Sequence, residues 1–326
     1  MIAPLRRGFF VAFKVFIRYT VRKYKQKLED FTFMKHAVRS ILCLTMILCC
    51  LFSVFPAQAE QTEASSSRPV LYLHSIDVGG CASAFLLTAG NTVILVDCGT
   101  DTDARQTNKA LLAYLEASGI DHIDLWFVTH YHNDHAMNLN TILSLYGTDD
   151  TRVFGPSAIL PQRFLPLAAG SYTQLKDCDT LSFGDFHFVC LAPSSADVSG
   201  EVNANSLNVR MDYGDFSFLI TGDFVPKDIL KKHPDEIAEI DVLAYPHHGL
   251  KPLLITEKIM SVINPSCVLV ASNAAGNVRV QCNEAKVKAE TFCTGKAGTV
   301  VLRVNDAGYE ILTGVQPGEY PYSPAQ

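Results

Sequence analysis

Asp124-Leu125-Trp126-Phe127-Val128-Thr129-His130-Tyr131-His132-Asn133-Asp134-His135 is the stretch on which the fold turns. A short apolar run, 125–128, stops at Thr129, and four metal-competent side chains follow within six residues: His130, His132, Asp134 and His135. Imidazole and carboxylate are the first choices of a borderline divalent ion such as zinc, and two ligands spaced by two residues on a looping chain can converge on one ion. Asp134 and His135 would then face a neighbouring ion. A polar loop that merely contains histidines has no need of this density directly after a strand-like run.

Three other apolar runs end in the same way. Asp97 follows Ile94-Leu95-Val96, Asp223 closes Leu219-Ile220-Thr221-Gly222, and His247-His248 come just after Leu243-Ala244-Tyr245. Layered α/β proteins bind ligands beyond the carboxyl ends of their strands, so the four ends are expected to line one cleft. Periodicity places the remaining elements around them. Strands are expected at 70–74, 84–88 and 92–96, with Gly90-Asn91 as a hairpin turn, and then a helix from about 103 to 118 closed by Gly119. Helix 139–145, strand 152–155 and a β pair within 180–191 follow, then strands 207–213 and 217–221, helix 225–232 and strand 241–246. The last third reads as helix 256–263, strand 267–271, helix 283–289 and a closing pair at 299–304 and 309–312. The alternation says layered α/β.

Composition bounds the function. Of the 326 residues 48% are hydrophobic, enough for one large core or two modest ones. Residues 1–59 hold ten Lys/Arg and two acids, so the rest carries 17 basic and 31 acidic side chains, a formal charge of −14. Such a chain is not expected to bind duplex nucleic acid tightly. Residues 1–59 read as a leader: the apolar run 41–55 is short for a membrane span, follows Lys35 and Arg39, and precedes Pro56-Ala57-Gln58-Ala59, a signal-peptide ending. Met34 would itself make an ordinary start. An uncleaved leader would be the only membrane contact. A polar tether, 60–68, then leads into a domain at 69–313, and 314–326 is a C-terminal tail. Seven cysteines remain beyond the leader, an odd number with no Cys-x-x-Cys spacing, so a disulfide pattern cannot be assigned.

The motif 129–135 resembles that of the metallo-β-lactamase fold superfamily of metal-dependent hydrolases. Together with Asp77-Val78-Gly79, Val96-Asp97-Cys98-Gly99, Asn203-Ala204-Asn205-Ser206-Leu207, the run 219–223 and Pro246-His247-His248-Gly249, it is similar to the hydrolase domain of ComEC-type competence proteins and their secreted stand-alone relatives. The resemblance implies an αββα sandwich, two mixed sheets flanked by helices, with two zinc ions per chain, manganese or iron being able to replace zinc. It assigns one ion to His130, His132 and a bridge from Asp223. The other takes Asp134, His135, Asp223 and one of His247 and His248, while Asp97 orients the loop and Asn205 stands where many members have a third histidine. Catalytic roles are therefore expected for Asp134, Asp97 and Asn205. The chain departs from the branch at Gly80, Cys81 and Ala82, where Gln, Gly and Asp are usual, at Leu250 in place of Ser, and at Met137-Asn138 in place of Gly-Gly.

Two such ions support hydrolysis without a nucleophilic side chain. The expected function is an exported hydrolase of a small-molecule or polymeric phosphoester, from the cell envelope or nucleic acid. An acyl hydrolase opening a lactone or β-lactam, and a non-catalytic domain stapled by its metal, are the alternatives. Amino-terminal sequencing of the exported protein is expected to begin at Glu60; a mature chain that retains 41–55 would make that run an anchor.

Overall fold

The computed structural model describes residues 68–100, 109–157, 160–164, 172–194, 202–252, 254–272 and 275–322. The leader, nearly all of the tether and the first part of the helix expected from 103 lie outside the described residues. Among the described residues no helix is long and apolar enough to cross a membrane.

Two mixed sheets make the frame. The first contains β1 (Leu71–Ser75), β2 (Phe85–Ala89), β3 (Thr92–Val96), β4 (Leu125–Phe127), β5 (Arg152–Pro156) and β6 (Tyr172–Leu175), completed by β14 (Val300–Asn305) and β15 (Gly308–Thr313), in the order β15-β14-β1-β2-β3-β4-β5-β6. The second contains β7 (Thr180–Phe183), β8 (Phe186–Ala192), β9 (Asn208–Tyr213), β10 (Phe216–Ile220), β11 (Val242–Ala244), β12 (Cys267–Val270) and β13 (Glu290–Cys293), in the order β13-β12-β11-β10-β9-β8-β7. In each sheet hairpin-linked antiparallel strands give way to parallel ones, the change falling at β3–β4 in one and β10–β11 in the other. The strands that carry the expected ligands are these four.

Alternation along the strands builds the layers, because successive side chains point to opposite faces. Ile94, Val96, Leu125 and Phe127 point between the sheets, where they join Phe188, Met211, Phe218 and Ile220 in one core. Their neighbours Val93, Leu95, Trp126 and Val128 face outward onto α1 (Lys109–Ala117) and α3 (Leu139–Tyr146), the latter preceded by the short α2 (Asn133–Ala136). The second sheet turns Leu219, Leu243, Val268 and Val270 outward against α5 (Glu257–Ile263) and α6 (Ala275–Glu284), beyond the short α4 (Ile229–Lys232). This is the expected αββα sandwich. Truncating a side chain such as Phe127 to alanine would cost roughly 3–5 kcal/mol, since it is sealed between the sheets.

Several expected elements shift. The helix expected at 283–289 lies earlier, at Ala275–Glu284, and β13 with a short helix, Thr294–Ala297, fills the interval before the closing pair. Within 225–232 only Ile229–Lys232 is α-helical. β6 and β13 are edge strands without a full apolar alternation, which is why periodicity did not reveal them. Much of the segment read as a tail lies on the fold: Val315 is buried and its N–H bonds Thr299 O at 3.1 Å, and Tyr322 N–H bonds Ser118 O at 2.7 Å.

His74 on β1 is buried, with Nδ1 2.8 Å from the Tyr114 hydroxyl and Nε2 without a hydrogen-bond partner. Burial lowers its pKa from 6.5 to about 3. The native state therefore stays unprotonated where the unfolded chain takes up a proton. Stability is fully present above pH 6.5 and falls by up to about 1.4 kcal/mol per pH unit as pH drops towards 3. His74→Phe should flatten this acid limb in denaturant unfolding followed from pH 7 to 4; an unchanged limb would show that His74 does not set it.

Candidate metal centre

The apolar strand β4 delivers the donor loop to the rim of the sandwich, where three polar anchors take over. Val128 N–H continues the pairing to Phe154 O, Thr129 N–H turns to the Asp97 carboxylate, and Thr129 O accepts from Leu207 N–H at 2.8 Å. The last bond ties the loop from the first sheet to the start of the second. After His132 the chain closes one helical turn, α2, with Ala136 N–H bonded to His132 O. That turn carries Asp134 and His135.

Asp97 stands at the end of β3 with a backbone φ of +58°. A non-glycine residue pays on the order of 1 kcal/mol for this conformation. Its carboxylate makes up the deficit: Oδ1 accepts from Thr129 N–H at 2.8 Å and Thr129 Oγ1–H at 2.9 Å, and Oδ2 accepts from His135 Nδ1–H at 2.7 Å. The segment behind it grips α2 through backbone bonds, Ser83 N–H to Asp134 O, Cys98 N–H to His135 O and Thr100 N–H to Asn133 O. The approach is so close that a Cβ on Gly99 would lie 1.6 Å from Asp134 O, which only glycine avoids. Asn138 completes the clamp, its Nδ2 donating to Cys98 O at 2.8 Å and Gly99 O at 3.2 Å.

The second sheet brings its own donors. Beyond β10, Gly222 has φ +56° and packs against Ser206 and Thr129, and Asp223 N–H bonds Ser206 Oγ at 2.9 Å. Buried Asn208 fixes this corner by donating from Nδ2 to the carbonyls of Ser206, Thr221 and Phe224. After β11, His247 and His248 both have positive φ, and their rings part. His248 Nδ1–H donates to Ala271 O at 3.1 Å, leaving Nε2 aimed at the other donors, whereas His247 Nδ1–H donates to Leu250 O at 3.0 Å. His247 belongs to neither donor group formed by the described residues.

Two groups result. Ligand atoms of Asp134, His135, Asp223 and His248 all lie within 4.8 Å of one another, as do those of His130, His132 and Asp134. In the first, His135 Nε2 is 3.0 Å from Asp223 Oδ1 and 3.1 Å from His248 Nε2, and His248 Nε2 is 3.2 Å from Asp134 Oδ2. In the second, His130 Nε2 is 3.2 Å from His132 Nδ1 and 3.5 Å from Asp223 Oδ2. Asp223 thus turns one oxygen to each group, and Asp134, expected in only one of them, reaches both. Asn205 is buried on the short turn Asn203–Asn205, two residues before the Leu207 anchor.

The arrangement fits divalent cations. His135 and His248 each turn Nδ1 to an acceptor, so the two Nε2 atoms face one another at 3.1 Å with the Asp223 and Asp134 carboxylates beside them. Asp223 Oδ1 is buried there without a well-oriented hydrogen bond. A dication satisfies all three atoms at once, and the imidazole and carboxylate set suits zinc, manganese or iron. Burial, followed by the charge of His135, lowers His130 to about 4, so this imidazole is a free ligand at neutral pH. Burial alone would raise Asp134, but the hydrogen bond from His248 and the charges of His135 and His248 outweigh it and hold the carboxyl at about 2. Asp223 is held far lower, its burial overcome by His135 and His130. Beneath the donors a cavity of about 20 Å³, lined by Ser83, Asp97, Thr129, His135, Asp223 and His248, has room for about one water.

The sequence placed Ser206 in the Asn-x-Asn-Ser element without its role in holding the Asp223 loop, and did not mark Asn138 or Asn208, whose amides hold the loops. Their one local signal is a buried-type position occupied by a polar side chain, as at Asn208 beside Leu207 and Val209. Removing the charge from Asp97 while keeping its shape should release the His135 ring: Asp97→Asn is expected to weaken metal binding by about 10–100-fold with the fold retained. Chelator competition alongside thermal unfolding tests this, and wild-type affinity in Asp97→Asn would remove the orienting role.

With the geometry in place, comparisons with known proteins become informative. Residues 78–152, from the turn after β1 to the start of β5, match the family model of the metallo-beta-lactamase superfamily. ComE operon protein 3 of Bacillus subtilis is 25% identical over 174 residues, 50% of this chain and 22% of that protein, so the chain spans under a quarter of that relative's length. Among solved structures, the metallo-beta-lactamase fold protein YhfI from Bacillus subtilis aligns over 76% of this chain and 100% of its own, with 16% identity and a TM-score of 0.51. CmlA, a diiron beta-hydroxylase from Streptomyces venezuelae, aligns over 74% of this chain and 55% of its own, with 17% identity and a TM-score of 0.50. The fold therefore does not by itself specify hydrolysis, since CmlA is described as a beta-hydroxylase. Residues 78–152 are thus similar to the metallo-beta-lactamase superfamily, and the two-sheet sandwich is the fold of its structural neighbours.

Proposed function

We propose that the chain is an exported metal-dependent hydrolase that cleaves phosphoester bonds, with two zinc ions held by His130, His132, Asp134, His135, Asp223 and His248. The observation that carries the reading is the Asp223 carboxylate, buried between the two donor groups with Oδ1 facing His135 and Oδ2 facing His130. Metal bound there supplies Lewis acidity and lowers the pKa of water. The chain's own residues do the rest. Asp97 and Ala271 O keep the protons of His135 and His248 on Nδ1, so both Nε2 atoms remain ligands. Asp134, with a side chain 30% exposed, is the least buried carboxylate of the centre and stays ionised at working pH, an acceptor at the mouth of the site. Asn205 is proposed as a hydrogen-bond donor to charge developing on the substrate.

The phosphoester class rests on the Asn-x-Asn-Ser and His-His-Gly elements, which resemble the ComEC-type branch, and on Asn205 where a third histidine would suit a lactamase. The net charge of −14 beyond residue 59 argues against tight binding of a duplex and not against a small phosphoester. Purified protein should hydrolyse a chromogenic phosphate bis-ester faster than a chromogenic β-lactam, and chelator should stop it. Faster cleavage of the β-lactam would overturn the substrate class. Asp223→Ala should lose both ions, because a carboxylate between two dications offsets their repulsion; elemental analysis showing one ion retained at full occupancy would remove the bridge.

A further inference from the structure

A second kind of donor set lies outside this centre. Asp177 and Cys178 occupy the turn between β6 and β7, and His233 follows the last turn of α4. Fifty-five residues of chain separate Cys178 from His233, yet the ligand atoms of the three lie within 4.8 Å of one another. His233 is buried, with Nε2 2.5 Å from Asp177 Oδ1, and its Nδ1 faces Glu236 Oε2 at 4.0 Å. Cys178 Sγ is 3.4 Å from the same Asp177 oxygen.

The turn is built to hold these side chains together. Asp177 N–H bonds Pro193 O and Cys178 N–H bonds Cys190 O, which staple the turn to the end of β8, and Lys176 N–H bonds Asp179 Oδ2 within the turn. Adjacent residues on an extended chain point apart, but Cys178 has φ +71°, and this left-handed conformation brings its thiol to the side of the Asp177 carboxylate. A turn alone would take Gly or Asn there more readily than Cys. An ion pair between His233 and Asp177 would explain those two residues and leave the cysteine unused. The hydrogen bond to Asp177, together with the nearby carboxylates, raises the Cys178 pKa, so without a cation the thiol keeps its proton.

We propose that Asp177, Cys178 and His233 bind one zinc-class divalent ion at a site separate from the hydrolytic centre. The imidazole, thiolate and carboxylate suit a borderline ion and not calcium or magnesium, which take oxygen. Binding replaces the thiol proton, which leaves to solvent, and forms the metal–sulfur bond. Glu236, on the far side of the ring, favours the tautomer with the proton on Nδ1 and the lone pair of Nε2 towards the metal. Cys178 is exposed, so an ion has access.

Cobalt(II) loading of the full chain separates this site from the hydrolytic one, whose donors are nitrogen and oxygen alone. Wild type should show thiolate-to-cobalt charge-transfer absorption. Cys178→Ser and His233→Gln should each lose it with one cobalt ion per chain, while His132→Ala should keep it. Because Cys178 is exposed, its replacement by serine leaves the core intact and tests the site even if His233→Gln unfolds. No thiolate absorption in cobalt-loaded wild type, or its persistence in Cys178→Ser, would overturn the proposal, whatever the hydrolytic assays show.

Discussion

The Asp97 carboxylate is the constraint on which the centre depends. It is buried at the end of β3, in a backbone conformation that disfavours every residue but glycine, and it is retained by hydrogen bonds from Thr129 and His135. Through Thr129 it fixes where the donor loop leaves β4. Through His135 it fixes which ring nitrogen carries the proton. Everything nearby is shaped to this placement, including Gly99, which lets the β3 loop lie directly on α2.

The donors come from both sheets, so the site exists only while the sheets are packed. His130, His132, Asp134 and His135 ride on the first, and Asp223 and His248 on the second. The interlock between the sheets is the bond from Leu207 N–H to Thr129 O, and beside it Asp223 N–H to Ser206 Oγ holds the second sheet's own loops together. Holding these imidazoles and carboxylates together away from water carries a desolvation cost, which a cation between them would offset. The apolar core between the sheets supplies the free energy that holds them there. Metal affinity and sheet packing are therefore coupled through the same few loops.

The wall around the donors departs from the resemblance more than the donors do. Gly80, Cys81 and Ala82 occupy the turn after β1, Leu250 follows the His-His-Gly turn, and Met137-Asn138 sits below α2. Asn138 is not a neutral replacement, because its amide caps two carbonyls of the Asp97 loop.

Sequence alone determined the layered α/β class, the four strand ends and the metal-binding character, because strand alternation and the His-x-His-x-Asp-His spacing are local properties that need no partner to be read. The choice between His247 and His248 was tertiary. Both have left-handed backbones, and only the carbonyls they meet, Leu250 O and Ala271 O, send one ring away and the other into the site. The same holds for Ser206 and Asn208, ordinary polar residues until the fold surrounds them with the backbone of the Asp223 loop. The placement of α6 was also tertiary, since its residues carry little amphipathic signal and pack because strands β12 and β13 flank it. His233 lies outside any ligand spacing in the sequence, and long-range packing brings it to Asp177 and Cys178. Local periodicity sets what each segment is; which distant polar groups face one another is set by the packing of the two sheets.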